Sequence, residues 1–300
     1  MVQHPLVTLT YQHVDVFSPL PYSGNSLAVF LDCPSLTVKQ MLRITQELRH
    51  FESIFLSPLQ RDHEARARVF DLFGELDFAG HPLLGAACAL HASSSQEDAA
   101  LWTIHLPART VSVMTSYHGD SYTAVLDQGR PIFLAPVPTE KTVAFAAALN
   151  LHLEDLSATL PMEVVSTGLR YLIVPLDRGL ERARIVTPDF EALLASVGAQ
   201  FVYVLDVVAM EGRHWNNDGQ MEDVATGSGA GTVAAYLARH GRIPLGQETI
   251  LSQGRFTGRP SRIRIRADGT AASIHRVLVG GDVAFVGQGT LATLPREEVV

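Results

Sequence analysis

A chain of 300 residues with 31 acidic and 23 basic side chains, a formal net charge of −8, is long enough for one large domain or two of ordinary size. At 47% hydrophobic and 18% charged it can bury a sizeable core, and its acidic balance argues against binding nucleic acid or an anionic membrane surface. The two cysteines, Cys33 and Cys88, make neither a disulfide framework nor a zinc site, and the two lysines, Lys39 and Lys141, lie in no motif, which argues against Schiff-base and pyridoxal-phosphate chemistry.

The cysteine usage fits a reducing cytoplasm. The opening MVQHPLVTLTYQHVDVF lacks the basic region and apolar run of a signal peptide. No stretch approaches the ~20 apolar residues of a spanning helix.

In chain order, residues 6–17 alternate apolar and polar and predict a half-buried strand. The turn SPLPYSGN (18–25) and a short strand, LAVFL, follow. Thr37 predicts the cap of a helix through Leu48, with Val38, Met41, Leu42 and Thr45 on one face. Strands are predicted at 51–57 and 66–73. The segment ELDFAGHPLLGAACALHA (75–92) predicts a turn into a helix apolar nearly all round, hence buried on all sides, and 93–98 a loop. Strands at 101–106, 110–116 and 121–127 lead to a crossover marked by Pro131, Pro136 and Pro138, with the main boundary near residue 129.

Beyond it come a helix at 139–149 and strands at 162–167 and 170–176. Next are a helix at 187–198, with Thr187 as cap, Pro188 in its first turn and Gly198 as stop, and a strand at 201–208. The helix TVAAYLARHG ends at Gly241, and strands near 249–252, 262–267, 271–279 and 282–288 close the chain. Antiparallel runs of strands with few helices indicate an α+β protein rather than alternating βαβ units.

An internal repeat organises the sequence. Asp77–His81 (DFAGH) and Asp223–Gly227 (DVATG) lie 146 residues apart, and the same offset aligns Ala79 with Ala225, Gly85 with Gly231 and Ala89 with Ala235. Gly24 before LAVF and Gly168 before RYLIV are 144 apart, and Arg68 and Arg213 precede the two motifs by similar distances. The expected picture is two similar halves, each a sheet around one buried helix, with both helix N-termini facing one cleft.

The second motif, EDVATGSGAG (222–231), places small polar residues and three glycines before a helix, an arrangement that receives anions. Glu222 and Asp223 would repel phosphates, so a carboxylate or enolate oxygen is the expected guest. Thr232 breaks a dinucleotide fingerprint, the lysine of a P-loop is absent, and Thr226 and Ala230 exclude a nucleophile elbow. A tight turn with close helix packing is the plainer reading.

His81 stands at the start of the first buried helix, where the dipole favours the neutral imidazole, although a structural histidine also fits. Asp77 and Asp223 each precede a helix start and serve equally as caps. Asp223 has the stronger functional claim, with Glu222 beside it available for solvated work. Glu52 is the one acid in the apolar strand Phe51–Phe55, and alternation puts it on the face of Ile54 and Leu56. An inward carboxyl there is a usable acid or base, because burial disfavours its charged form; an outward residue on an edge strand is the alternative. The twelve histidines show no convincing metal spacing, and Arg262, Arg264 and Arg266 read as one solvated face.

Together GNSLAVF, ELRHFES, GELDFAGHPLLG, STGLRYLIVP, EDVATGSGAG and QGRFTGRPSRI resemble the PhzF phenazine-biosynthesis family, in order from about residue 11 to residue 290. The resemblance implies the diaminopimelate-epimerase-like fold: 1–128 as the first half, 129–283 as the second, 284–300 returning to the first, and an active site in the cleft between them. Epimerases of that fold carry a cysteine at each helix start. This chain has Gly80-His81 and Thr226-Gly227 there, which argues against a two-thiol racemase.

The resemblance further implies Glu52 as the proton-transferring residue, with His81 and Asp223 as catalytic partners. Gly80, Gly227, Ser228 and Asn25 become substrate-binding residues. It implies a cofactor-independent, metal-free isomerase acting on a small carboxylate-bearing substrate, assembled as a homodimer. An epimerase or dehydratase, and a non-catalytic binding protein on the same fold, are the alternatives. Val224 stands where the family usually has proline, and the loop before Glu52 also differs.

Overall fold

The computed structural model describes residues 8–59, 61–94 and 97–296. Residues 6–7 of the first predicted strand, 95–96 of the predicted loop and 297–300 of the predicted return lie outside these. The chain forms two compact units, Met1–Leu126 with Gly281–Val300, and Asp127–Gly280.

In the first unit, β1 (Leu9–Val16) pairs antiparallel with β2 (Asn25–Phe30). After α1 (Val38–Leu48) comes β3 (Glu52–Pro58), parallel to β2, then β4 (Glu64–Asp71), antiparallel to β3. The two-residue β5 (Glu75–Leu76) precedes α2 (Gly80–Ser94). β6 (Ala99–His105) runs parallel to β4, and β7 (Thr110–His118) and β8 (Ser121–Gly129) follow antiparallel.

The helix α2 packs on β1, β2, β3, β6 and β7 and is buried from Gly80 to His91. With no polar face to solvate, it has its lowest energy inside the sheet's curve. Gly85 permits the close approach: a Cβ there would lie 2.6 Å from Leu27 Cδ2 and 3.0 Å from Val14 Cγ2. On the opposite face α1 covers Phe30, Phe55 and Phe70 through Met41 and Ile44. Thr37 caps α1 by a reciprocal pair of bonds with Gln40, and Arg49 ends it in the left-handed region.

The second unit repeats this order. After β9 (Ile132–Pro136) and α3 (Thr139–Ala148), β10 (Glu163–Ser166) and β11 (Arg170–Leu176) form the antiparallel pair. Past α4 (Phe190–Ala195), β12 (Phe201–Asp206) lies parallel to β11, and β13 (Glu211–Arg213) antiparallel to β12. The buried α5 (Gly227–Arg239) follows; β14 (Thr249–Gln253) is parallel to β13, and β15 (Ser261–Thr270) and β16 (Ser273–Leu291) are antiparallel. Element for element, β1-β2-α1-β3-β4-α2-β6-β7-β8 corresponds to β10-β11-α4-β12-β13-α5-β14-β15-β16. The end of β16 pairs with β1, from Val283 opposite Val16 to Leu291 opposite Leu9. The mixed α+β architecture, a mainly antiparallel sheet around a central helix in each unit, matches the class read from the sequence.

Four local expectations change. The helix expected at 187–198 spans only Phe190–Ala195; Thr187 does not cap it, because the chain through Pro188 and Asp189 is a turn and Asp189 occupies the cap position. The expected crossover at 131–138 contains the strand β9, whose Pro136 is tolerated because it ends the second unit's strand order. The separate strands at 271–279 and 282–288 are one strand, β16, since Gly280 stays in the ladder opposite Arg264. Glu222 does no solvated work: its carboxylate grips Arg213 at 2.6 and 2.9 Å and is almost buried.

Candidate active site

The first unit assembles three of the sequence-derived residues around the N-terminus of α2. Glu52 begins β3 opposite Leu27 and shares its α2-facing side. It is 8% exposed, His81 in the first turn of α2 is 3% exposed, and Asn25 at the start of β2 is fully buried. Glu52 Oε2 lies 3.5 Å from His81 Nδ1, and Asn25 Nδ2 lies 3.4 Å from the same nitrogen.

A ring nitrogen presents either one lone pair or one N–H. With the Asn25 amide donating, that lone pair is taken, and the Glu52 carboxyl lies against the same nitrogen. One ring nitrogen thus faces both an amide and a buried carboxyl, the setting of a group that both takes and gives a proton.

The second unit builds a different structure around the N-terminus of α5. Asp223 is 4% exposed, and its backbone N–H donates to His214 O at 2.9 Å. Gln253, at the end of β14, settles the neighbouring directions. Its Oε1 accepts the Thr226 backbone N–H at 3.1 Å and the Tyr203 hydroxyl at 2.8 Å. Its Nε2 donates to Asp223 O and to Thr226 Oγ1, both at 3.0 Å. Thr226 Oγ1, already accepting, donates its own proton to Asp223 Oδ2 at 2.6 Å. Two backbone partners fix the amide's orientation, so Asp223 Oδ2 is held as an acceptor.

Ser228 Oγ meets the Tyr171 hydroxyl at 2.7 Å. Gln128 donates to Gly227 O at 2.9 Å and accepts from Thr167 at 2.6 Å. The N–H groups of Gly227, Ser228 and Gly229 precede the first intrahelical bond, Ala230 N–H to Thr226 O at 2.9 Å, and carry the positive end of the helix dipole.

The rings of Tyr171, Phe201 and His214 pack together, with centroids 5.4 to 5.8 Å apart. His214 Nδ1 donates to Val202 O at 2.8 Å, which makes Nε2 the basic nitrogen. Burial holds His214 below its ordinary value, and the Asp223 charge opposes this in part. Burial pushes the Tyr203 phenol well up.

The Arg68 and Arg213 pair is structural in both units. Arg68 lies opposite Phe55 on β4 and binds Glu75 at 2.6 and 2.7 Å; Arg213 lies opposite Val204 on β13 and binds Glu222 at 2.6 and 2.9 Å. Neither cysteine is a ready nucleophile: burial pushes the Cys33 thiol up to about 12 and raises Cys88, inside α2, further. Asp77 is exposed while its repeat partner Asp223 is buried. Among the described residues no group of three or more His, Cys, Asp or Glu is placed to hold a metal ion, and no helix is long and apolar enough to cross a membrane.

Sequence reasoning assigned no role to Gln253, Tyr171, Gln128 or His214. Gln253 and Tyr171 stand inside the motifs QGRFTGRPSRI and STGLRYLIVP; Gln128, between Asp127 and Gly129, and His214, between Arg213 and Trp215, fall outside the motifs quoted above.

The family model described as phenazine biosynthesis-like protein matches residues 14–289. The trans-2,3-dihydro-3-hydroxyanthranilate isomerase of Pseudomonas aeruginosa is 35% identical over 288 residues, covering 93% of this chain and 98% of its own. A solved structure of a predicted epimerase from Pseudomonas aeruginosa is 45% identical, with a TM-score of 0.89 over 95% of this chain and 99% of that one. A hydroxyproline epimerase from Agrobacterium vitis, solved with bound trans-4-hydroxy-L-proline, is 15% identical with a TM-score of 0.60 over 95% and 91%, a likeness of fold.

Proposed function

The chain belongs to the phenazine biosynthesis-like family, has the diaminopimelate-epimerase-like fold and is an isomerase, and from that premise we propose that it moves a proton within a small, carboxylate-bearing cyclic amino or hydroxy acid, without a cofactor. Glu52 removes a proton from a hydroxyl-bearing ring carbon and returns it to another ring carbon, which leaves an enol; the enol's O–H proton then moves to carbon to give the ketone, and the formula is unchanged. His81 and Asn25 position the carboxyl for that transfer. Asp223 takes a polar hydrogen of the substrate, and Ser228 with the N–H groups of Gly80, Gly227 and Ser228 receives its carboxylate or developing oxyanion. Proton transfer by a placed residue contributes roughly 100- to 10,000-fold.

The observation that carries this reading is the buried Glu52–His81–Asn25 trio, with one ring nitrogen facing both an amide and a carboxyl. The test is proton exchange in deuterated water over a panel of cyclic amino and hydroxy acids that includes trans-2,3-dihydro-3-hydroxyanthranilate. Deuterium entering at least one substrate supports the reading; no exchange anywhere in the panel overturns it. The name of the 45% identical structure favours epimerisation as a second reading. Loss of optical rotation with an unchanged absorption spectrum identifies it.

A further inference from the structure

On the α1-facing side of the first unit's sheet, behind the Glu52 trio, a second polar cluster stands apart from the residues assigned above. Ser26 follows Asn25 on β2 and so points to the other side. Its Oγ lies 2.8 Å from His13 Nε2, on β1, and 2.7 Å from His50 Nδ1, in the short connection between α1 and β3. The two imidazole rings are 4.5 Å apart, centre to centre. His13 Nε2 is 3.8 Å from Asp15 Oδ1, and Asp15 Oδ2 accepts the Tyr22 N–H at 2.6 Å, in the turn that delivers Asn25.

One hydroxyl thus joins three consecutive stretches of backbone at one end of the sheet. Ser26 is one residue after Asn25, and His50 is two residues before Glu52. The side chains of the Glu52 trio and those that form the bridge hang from the same short pieces of chain, on opposite sides. A hydroxyl has one proton to give and accepts in return. It satisfies both rings when one presents an N–H and the other a lone pair, so the bridge is directional and fixes both rings.

We propose that Ser26, His13 and His50 are positioning residues for the acid/base: the bridge sets where β3 begins relative to β2, and so sets the Glu52 carboxyl against His81. The bridge itself touches no substrate. This rests on Glu52 being the proton-transferring residue, and the test separates the two ideas.

Ser26→Ala removes both bonds and no other atom; Ser26→Thr keeps the hydroxyl. In an assay on whichever panel substrate exchanges, Ser26→Ala lowers kcat about tenfold with KM changed less than about twofold, and Ser26→Thr restores kcat. Hydrogen exchange read by mass spectrometry needs no substrate: Ser26→Ala speeds exchange in the peptide covering residues 49–55 about tenfold, while Ser26→Thr leaves it as in the wild type. Full kcat in Ser26→Ala, a loss confined to KM, failure of threonine to rescue, or unchanged exchange over 49–55 overturns the proposal. A wild type inert toward the whole panel removes the functional reading instead, and the exchange experiment then decides the bridge alone.

Discussion

The N-termini of α2 and α5 occupy the same place in two copies of one topology and are equipped for different work. Each follows an antiparallel strand whose arginine is paired with a glutamate further along the chain, Arg68 with Glu75 and Arg213 with Glu222. Each helix has a glycine at the matching position, Gly85 or Gly231, where no Cβ fits. The register shows where they part. Leu27 faces Glu52 across β2 and β3, and the matching pair across β11 and β12 is Tyr171 with Phe201. The first unit puts a buried acid beside a histidine; the second puts an aromatic pair there and a hydrogen-bond lattice around Asp223. In the first a carboxyl and an amide converge on one ring nitrogen. In the second Gln253 fixes the direction of each bond it and Thr226 make. The duplicated scaffold is symmetric and the chemistry placed on it is not.

The largest expected effect breaks that asymmetry at its source. Glu52→Gln keeps the side chain's shape and cannot cycle a proton, so turnover falls roughly 100- to 10,000-fold while folding and ligand affinity persist. Steady-state kinetics with calorimetric binding check both parts.

In the second unit, Thr226→Val leaves Asp223 Oδ2 without its threonine donor and Gln253 Nε2 without one acceptor. Denaturant unfolding is expected to show a loss of about 1–3 kcal/mol, with Thr226→Ser close to wild type.

Placing alanine at the two matched glycines compares the units directly. The new Cβ at position 231 would lie 1.9 Å from Gln128 Oε1, an atom held by Thr167, whereas at position 85 it meets aliphatic groups at 2.6 to 3.1 Å. Overpacking costs about 1–3 kcal/mol at either site. Gly231→Ala adds the strain of displacing Gln128 from its bonds to Thr167 and Gly227, roughly another 1 kcal/mol. Unfolding curves of the two variants rank them.

The smallest effect is a pH dependence confined to the second unit. The native His214 binds its proton less readily than the unfolded chain does, whose value is near 6.5. As pH falls through 6.5 the unfolded state gains a proton that the native state refuses, so stability present above that value is lost below it. His214→Gln keeps a donor for Val202 O and is expected to flatten the fall in melting temperature between about pH 7.5 and 5.5.

Much of this was legible in the residues. The 146-residue offset exposed the duplication because Gly85 and Gly231 answer the same steric demand, and steric demands leave fixed letters. The burial of Glu52 was legible because alternation put this lone acid on the face of Ile54 and Leu56. The lattice around Asp223 was less legible. Gln253 and Tyr171 are distant in sequence from the atoms they bind, 27 residues for Gln253 to Thr226 and 57 for Tyr171 to Ser228, and a glutamine or tyrosine at a strand position has no periodic signature. Glu222 misled for the same reason: next to Asp223 in sequence, it is turned in space toward Arg213. Pairs of glycines and prolines were over-read as breaks, since Gly280-Gly281 continues β16 and Pro136 ends β9.

The central claim is that the acid/base lies in the first unit and the second only holds. Deuterium incorporation from solvent into a bound panel substrate, measured for Glu52→Gln and Asp223→Asn side by side, tests it most directly. The account predicts no incorporation in Glu52→Gln despite retained binding, and slowed but measurable incorporation in Asp223→Asn with weakened binding. Incorporation that survives in Glu52→Gln and vanishes in Asp223→Asn with binding intact would contradict it.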